Sequence, residues 1–128
     1  MSFKKMALVT ILTLTTLSLY AHEGHDAGMA KSLHGGIVKK SKNVFVEVVQ
    51  DEGIEIYITD HEYKNLVSPK FPVTAYADVK GKKIPLKLES HATNLTVTTD
   101  LKKEKHFKLN VVVKFNGKDE EVTFPLEN

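Results

Sequence analysis

Neither cysteine nor arginine occurs in this chain of 128 residues. Without cysteine there is no disulfide, thiolate metal site, thioether-linked haem or thiol nucleophile. A soft Cu(I) ion would have to rely on Met29 and histidine. Without arginine the chain lacks the planar fork that reads phosphates and base edges, so nucleic acid is not an expected partner. Excess charge is missing too. The formal net charge is +2, and Lys4 and Lys5 account for it, so the rest of the chain balances. A balanced chain exerts no long-range pull toward anionic membranes. No Gly-x-Ser-x-Gly elbow, His-Glu-x-x-His helix or phosphate-binding glycine loop is present. The chain is therefore read as a binding protein, not an enzyme.

Ala7 to Leu19 is uncharged and largely apolar, with threonines interspersed. At about 13 residues it is shorter than the roughly 20 a helix needs to cross a hydrocarbon core of about 30 Å. Lys4 and Lys5 precede it, and Leu19-Tyr20-Ala21 ends it on a small residue, the order of a secretory signal. Residues 1–21 are accordingly expected to leave after Ala21, giving a periplasmic or secreted protein without a membrane span. An uncleaved anchor or buried helix is the competing reading. With no cysteine after the apolar stretch, a lipid-anchored lipoprotein is excluded. Ala27 and Ala30 offer later cleavage points, which would remove His22 and His25.

From Gly36 onward helical periodicity is absent and alternation takes over. Val44, Val46 and Val48 interleave with Phe45, Glu47 and Val49. Ile54, Ile56 and Ile58 interleave with Glu55, Tyr57 and Thr59. Ile84, Leu86 and Leu88 form a third row, Phe107 to Phe115 the longest, and Val122, Phe124 and Leu126 the last. Period two predicts one buried and one wet face per strand. Asp51-Glu52-Gly53, Lys80-Gly81 and Asn116-Gly117 separate these runs, and Asn-Gly is the strongest hairpin signal. About seven or eight strands at this spacing predict an all-β, antiparallel, immunoglobulin-like β-sandwich, with a small closed barrel as the alternative. Ser68-Pro69-Lys70-Phe71-Pro72 is expected to carry the chain between sheets, and Pro85 and Pro125 to sit on edge strands or bulges. The division expected is a signal at 1–21, a flexible histidine-containing arm at 22–33 and a sandwich domain at 34–128.

Of the six histidines, His22, His25 and His34 lie close together. Imidazole suits borderline metals. Were His22 the first residue, its α-amine and Nδ1 would chelate one ion, with His25 adding a nitrogen and Glu23 or Asp26 an oxygen. His34 precedes Gly35-Gly36, which permit unusual dihedrals and close approach. Asp60 and His61, at a strand end, form a separate candidate, with a side-chain-capped turn as the plainer reading. The metal expected is a divalent transition ion, copper or zinc first, held by His22, His25 and His34, with Asp60 and His61 as the lesser, separate site. Register arithmetic pairs Glu47 with Tyr57, and a return across Lys40 to Asn43 sets Gly36 near Glu47 and His34 near Val49. His61 then falls at the far end of the hairpin, beside Asn43. His91 and His106 are expected on the surface.

The pattern His34-Gly35-Gly36-Ile37-Val38, then Val46-Glu47-Val48-Val49, then Ile54 to His61 resembles small exported bacterial β-domains. These accompany, or are fused to, periplasmic adaptors of heavy-metal efflux pumps. The resemblance spans roughly residues 34 to 90, and it implies a periplasmic sandwich in copper, zinc, nickel or cobalt tolerance with an efflux adaptor as partner. No adaptor helices or barrel follow, so the domain would stand alone. His22 alone is similar to the amino-terminal histidine of periplasmic copper-resistance proteins and copper monooxygenases. The competing reading is a protein-interaction domain that docks on an envelope partner without metal.

Overall fold

The structure, a computed structural model, describes residues 30–128. Nine strands build two antiparallel sheets: β1 (Ile37–Lys40), β2 (Val44–Gln50), β3 (Ile54–Asp60), β4 (Val73–Val79), β5 (Lys82–Pro85), β6 (Leu88–Ser90), β7 (Leu95–Val97), β8 (His106–Phe115) and β9 (Lys118–Glu127). The first sheet has the order β1-β2-β3-β7-β6, the second β5-β4-β8-β9. No helix lies among the described residues.

The alternating rows meet between the sheets. Val44, Val46, Val48, Ile54, Ile56 and Ile58 from the first face Leu109, Val111, Val113 and Phe124 from the second, and all are buried. Residues 68–72 pass from β3 in the first sheet to β4 in the second, as the prolines suggest. Both β5, which ends at Pro85, and β9, which holds Pro125, are edge strands, where a missing N–H costs no ladder bond. Lys80 and Gly81 have φ of 52° and 85°, Asn116 and Gly117 of 51° and 84°. Positive φ at both central residues is the type I′ geometry that matches strand twist.

Two expectations need correction. Ile84, Leu86 and Leu88 do not form one strand. The chain changes sheets there, from β5 in the second to β6 in the first. Leu86 still donates its N–H to Ala75 O (3.0 Å), whereas Lys87 turns to the Thr99 hydroxyl (2.8 Å). Inward alternation persists across this corner, so periodicity alone does not mark it. The register of β1 also differs: Ile37 pairs with Val48, two residues from the expected position. The turn is centred one residue later than expected, with Lys40 pairing Phe45 and Ser41 N–H closing on Val44 O at 2.8 Å. An even slip keeps every side chain on its face.

Candidate functional site

The outer face of the first sheet is where chemistry-bearing residues gather. On β2 the outer row is Phe45, Glu47 and Val49. On β3 it is Thr59, Tyr57 and Glu55, paired to it in that order. A period-two reading expects this row in water, yet Phe45 and Glu47 are buried, Glu47 at 5% exposure. Residues 31–36 form a strap over Glu47, and the rings of His61 and Tyr63 lie against Phe45.

One carboxylate holds the strap. Glu47 accepts hydrogen bonds from Ser32 Oγ (2.9 Å), Leu33 N–H (3.3 Å), His34 N–H (3.0 Å), His34 Nδ1 (3.0 Å) and Gly36 N–H (2.8 Å). Burial by itself raises the pKa of Glu47. The bonds from Gly36 N–H, the His34 ring, the Ser32 hydroxyl and His34 N–H outweigh it, so the pKa lies below the ordinary glutamate value. Farther along, Lys31 N–H donates to Tyr63 Oη at 3.0 Å. Lys31, Ser32 and Leu33, expected at the end of a flexible arm, are thus tied to the sheet.

The glycines after His34 have separate tasks. Gly35 turns at φ 78°. Gly36 lies so close to β2 that a Cβ would stand 2.3 Å from Val48 O. Any side chain there would push the strap off its carboxylate.

His34 is fixed on two sides. Its ring stacks on Tyr57 with centroids 3.6 Å apart and planes 10° apart. Its Nδ1 faces a carboxylate that, when ionised, only accepts, so Nδ1 carries the hydrogen. A neutral His34 therefore keeps its lone pair on Nε2. Its side chain is 39% exposed, and among the described residues nothing hydrogen-bonds to Nε2.

Asp60 and His61 are engaged differently. Asp60 Oδ1 accepts from the N–H of Glu62 (2.8 Å) and Lys64 (2.9 Å), and Tyr63 in that turn has φ 67°. The Lys64 N–H leads the contributions that lower the Asp60 pKa. The His61 ring lies on Phe45, 4.5 Å between centroids, and Nε2–H donates to Ser41 O at 3.1 Å. That Nε2 is therefore not a free donor nitrogen, and Asp60 builds a turn. His34 and His61 share the outer face but rest on different residues, Tyr57 and Phe45, as the hairpin arithmetic separates them. His22 and His25 lie outside the described residues. His91 and His106 are exposed, beside Thr96 and Glu127.

Among the described residues no group of three or more His, Asp or Glu side chains is placed to hold one metal ion. What they offer is one oriented imidazole. Sequence reasoning found His34 but missed Glu47, Tyr57 and Ser32, which position it. It also missed Glu120, a second buried carboxylate, which ties the β1–β2 loop to β9 through Asn43 N–H (2.9 Å) and Nδ2 (2.6 Å). The available signal was the outer row of β2, whose Phe45 and Val49 are too apolar for a wet face.

No family model, curated protein or solved structure matches this chain.

Proposed function

We propose that this chain is an exported, periplasmic binding module for a divalent transition metal, copper or zinc first and nickel or cobalt next. Its role in this reading is metal tolerance beside an efflux adaptor. One observation carries it: the His34 ring is clamped between Glu47 and Tyr57 with Nε2 left as the lone-pair nitrogen. Histidines that ligate metals characteristically give their other nitrogen to a carboxylate or carbonyl, which fixes ring and tautomer. His34 supplies the anchored ligand, and His22 and His25 supply further nitrogens. Asp60 and His61 are a lesser, separate candidate, since Asp60 already holds its turn and His61 Nε2–H already donates to Ser41 O. The order β2-β3-β7-β6 opposite β5-β4-β8-β9 supports an immunoglobulin-like topology, corresponding to A-B-E-D opposite C′-C-F-G. The metal is bound, and no reaction is assigned.

Calorimetric titration of the exported protein with Cu(II) and Zn(II) is the test. Affinity falls in His34→Ala and in the double variant His22→Ala, His25→Ala. It also falls as pH drops through about 6.5, where imidazole protonates. Absence of binding by either ion overturns the reading. The second reading, a docking domain, then takes precedence. Among the described residues Leu33 (48%), Ile37 (50%) and Tyr63 (37%) are the exposed large hydrophobics; Ile37 lies on the free edge strand β1 and Leu33 in the strap before it. An unpaired edge accepts an added strand.

A further inference from the structure

We infer that Glu47 is the positioning residue of the His34 site, and that through it metal binding and docking of the strap are one coupled event. This rests on the metal reading above and goes beyond it by assigning a role to a residue that touches no metal.

A single carboxylate serves both the ring and the backbone. Oε1 takes the His34 ring and Leu33 N–H, while Oε2 takes Ser32 Oγ, His34 N–H and Gly36 N–H. The group that orients the ring is therefore the group that holds the backbone of the strap. Releasing the strap therefore releases the ring as well. If the strap lifts, Gly36 and His34 withdraw their N–H groups, and His34 leaves both Glu47 and the Tyr57 face together. Free imidazole then exchanges its proton between its two nitrogens and turns about χ1 and χ2. Docked, it presents a single nitrogen in a single orientation.

Coupling follows from thermodynamics. An ion that binds Nε2 only when the ring is docked favours the docked strap by its differential affinity. By reciprocity, whatever loosens the strap lowers metal affinity by the same factor. The packing beneath the strap suits a discrete docked state. The cleft lined by Lys31, Leu33, Val38, Phe45, Thr59 and Tyr63 encloses only about 10 Å³, so the strap lies close against the sheet. Gly36 permits this docked position, because a Cβ there would stand 2.3 Å from Val48 O.

The test uses the exported protein with Zn(II), which is diamagnetic and redox-silent. Two measurements need no variant. Nitrogen-15 shifts of the His34 ring without metal report the Nδ1–H tautomer, and amide exchange at Leu33, His34 and Gly36 slows on adding zinc. In Glu47→Gln one acceptor oxygen becomes an amide NH2 facing N–H donors, so zinc affinity drops roughly 10- to 100-fold. The zinc-dependent slowing of exchange is lost with it. A His34 ring in the Nε2–H tautomer, or exchange indifferent to zinc in the unaltered protein, overturns the inference. So does a Glu47→Gln protein that binds zinc normally. Each of these leaves the metal reading standing if His34→Ala still weakens binding. Unchanged affinity in His34→Ala instead removes His34 from the site.

Discussion

On the outer face of the first sheet Glu47 is buried and takes all its bonds from the strap. On the outer face of the second sheet Glu121 is exposed, and its partner is Tyr76 Oη at 2.6 Å. Both carboxylates come from strands of the same alternating design. Their difference lies in what covers them. A carboxylate in water gains little from one neighbour, since solvent screens the pair. A covered one must be satisfied completely, because a buried charge without partners costs several kcal/mol. Glu47 is satisfied by residues of the strap, close to it in sequence yet belonging to no strand. The covered face thus acquires an oriented histidine, while the open face acquires only solubility.

The largest effects belong to neither face but to the core that supports both. Phe124 and Ile56 are fully buried. Phe124→Ala is expected to cost about 3–5 kcal/mol and Ile56→Ala about 2–4 kcal/mol in denaturant unfolding, as transfer and cavity terms add. Costs below about 1 kcal/mol for both would show that the two rows do not interdigitate. The comparison of faces comes next. Glu47→Ala is expected to cost about 1–3 kcal/mol, a loss limited because the strap can lift and hydrate its freed N–H groups. Glu121→Ala should stay within about 0.5 kcal/mol. Equal costs would abolish the distinction between the faces.

Acid titrates the same contrast. The folded pKa of Glu47 lies below that of an ordinary glutamate, held down by the strap's hydrogen bonds. A carboxylate depressed in the folded state contributes stability that is present above the unfolded pKa and lost as pH falls through the folded one. Stability is therefore expected to decline as pH falls from 4.5, in step with faster exchange at Leu33, His34 and Gly36. Glu120 shares the direction. Burial raises its pKa, the bonds from Asn43 outweigh it, and the net shift is downward. The unfolding slope on pH should be shallower in Glu47→Gln than in the unaltered protein. An unchanged slope would place the acid sensitivity in Glu120 and Asp60 instead.

Much of the sandwich was readable because its causes are local. Val46, Val48, Ile54, Ile56, Ile58, Leu109, Val111 and Val113, expected in the core from alternation, are all buried. Asn116-Gly117 and Lys80-Gly81 announce their turns through the dihedrals they tolerate. The strand corner after Pro85 escaped, since the inward row runs on through Leu86 and Leu88 while the hydrogen-bond partners change sheets. The strap escaped for a different reason. Residues 31–36 have no periodicity, and what fixes them is a carboxylate more than ten residues away, as the contact from Gly36 to Glu47 across 11 positions illustrates. His34 was legible as a residue type and position. Its orientation depends on Glu47 and Tyr57 being paired across β2 and β3; the hairpin register gives that pairing, but not the strap that turns it into a clamp.

The smallest expected effect has the opposite sign and probes the cover most directly. Thr59 stands beside Phe45 on the outer face, and its Oγ1 is buried without a hydrogen-bond partner among the described residues. A buried hydroxyl that makes no bond forgoes the water it had in the unfolded chain. Thr59→Val exchanges that hydroxyl for a methyl while keeping the β-branched shape that suits a strand. With the strap docked, the change is expected to be neutral or stabilising, by up to about 1 kcal/mol. With the strap lifted, the hydroxyl would be hydrated in the folded protein and valine would gain nothing. The sign of the change therefore reports the docked population, independently of any metal. Measured in Glu47→Ala, where the strap is released, the benefit should disappear. A stabilisation that survives there would mean that Thr59 is covered by something other than the strap.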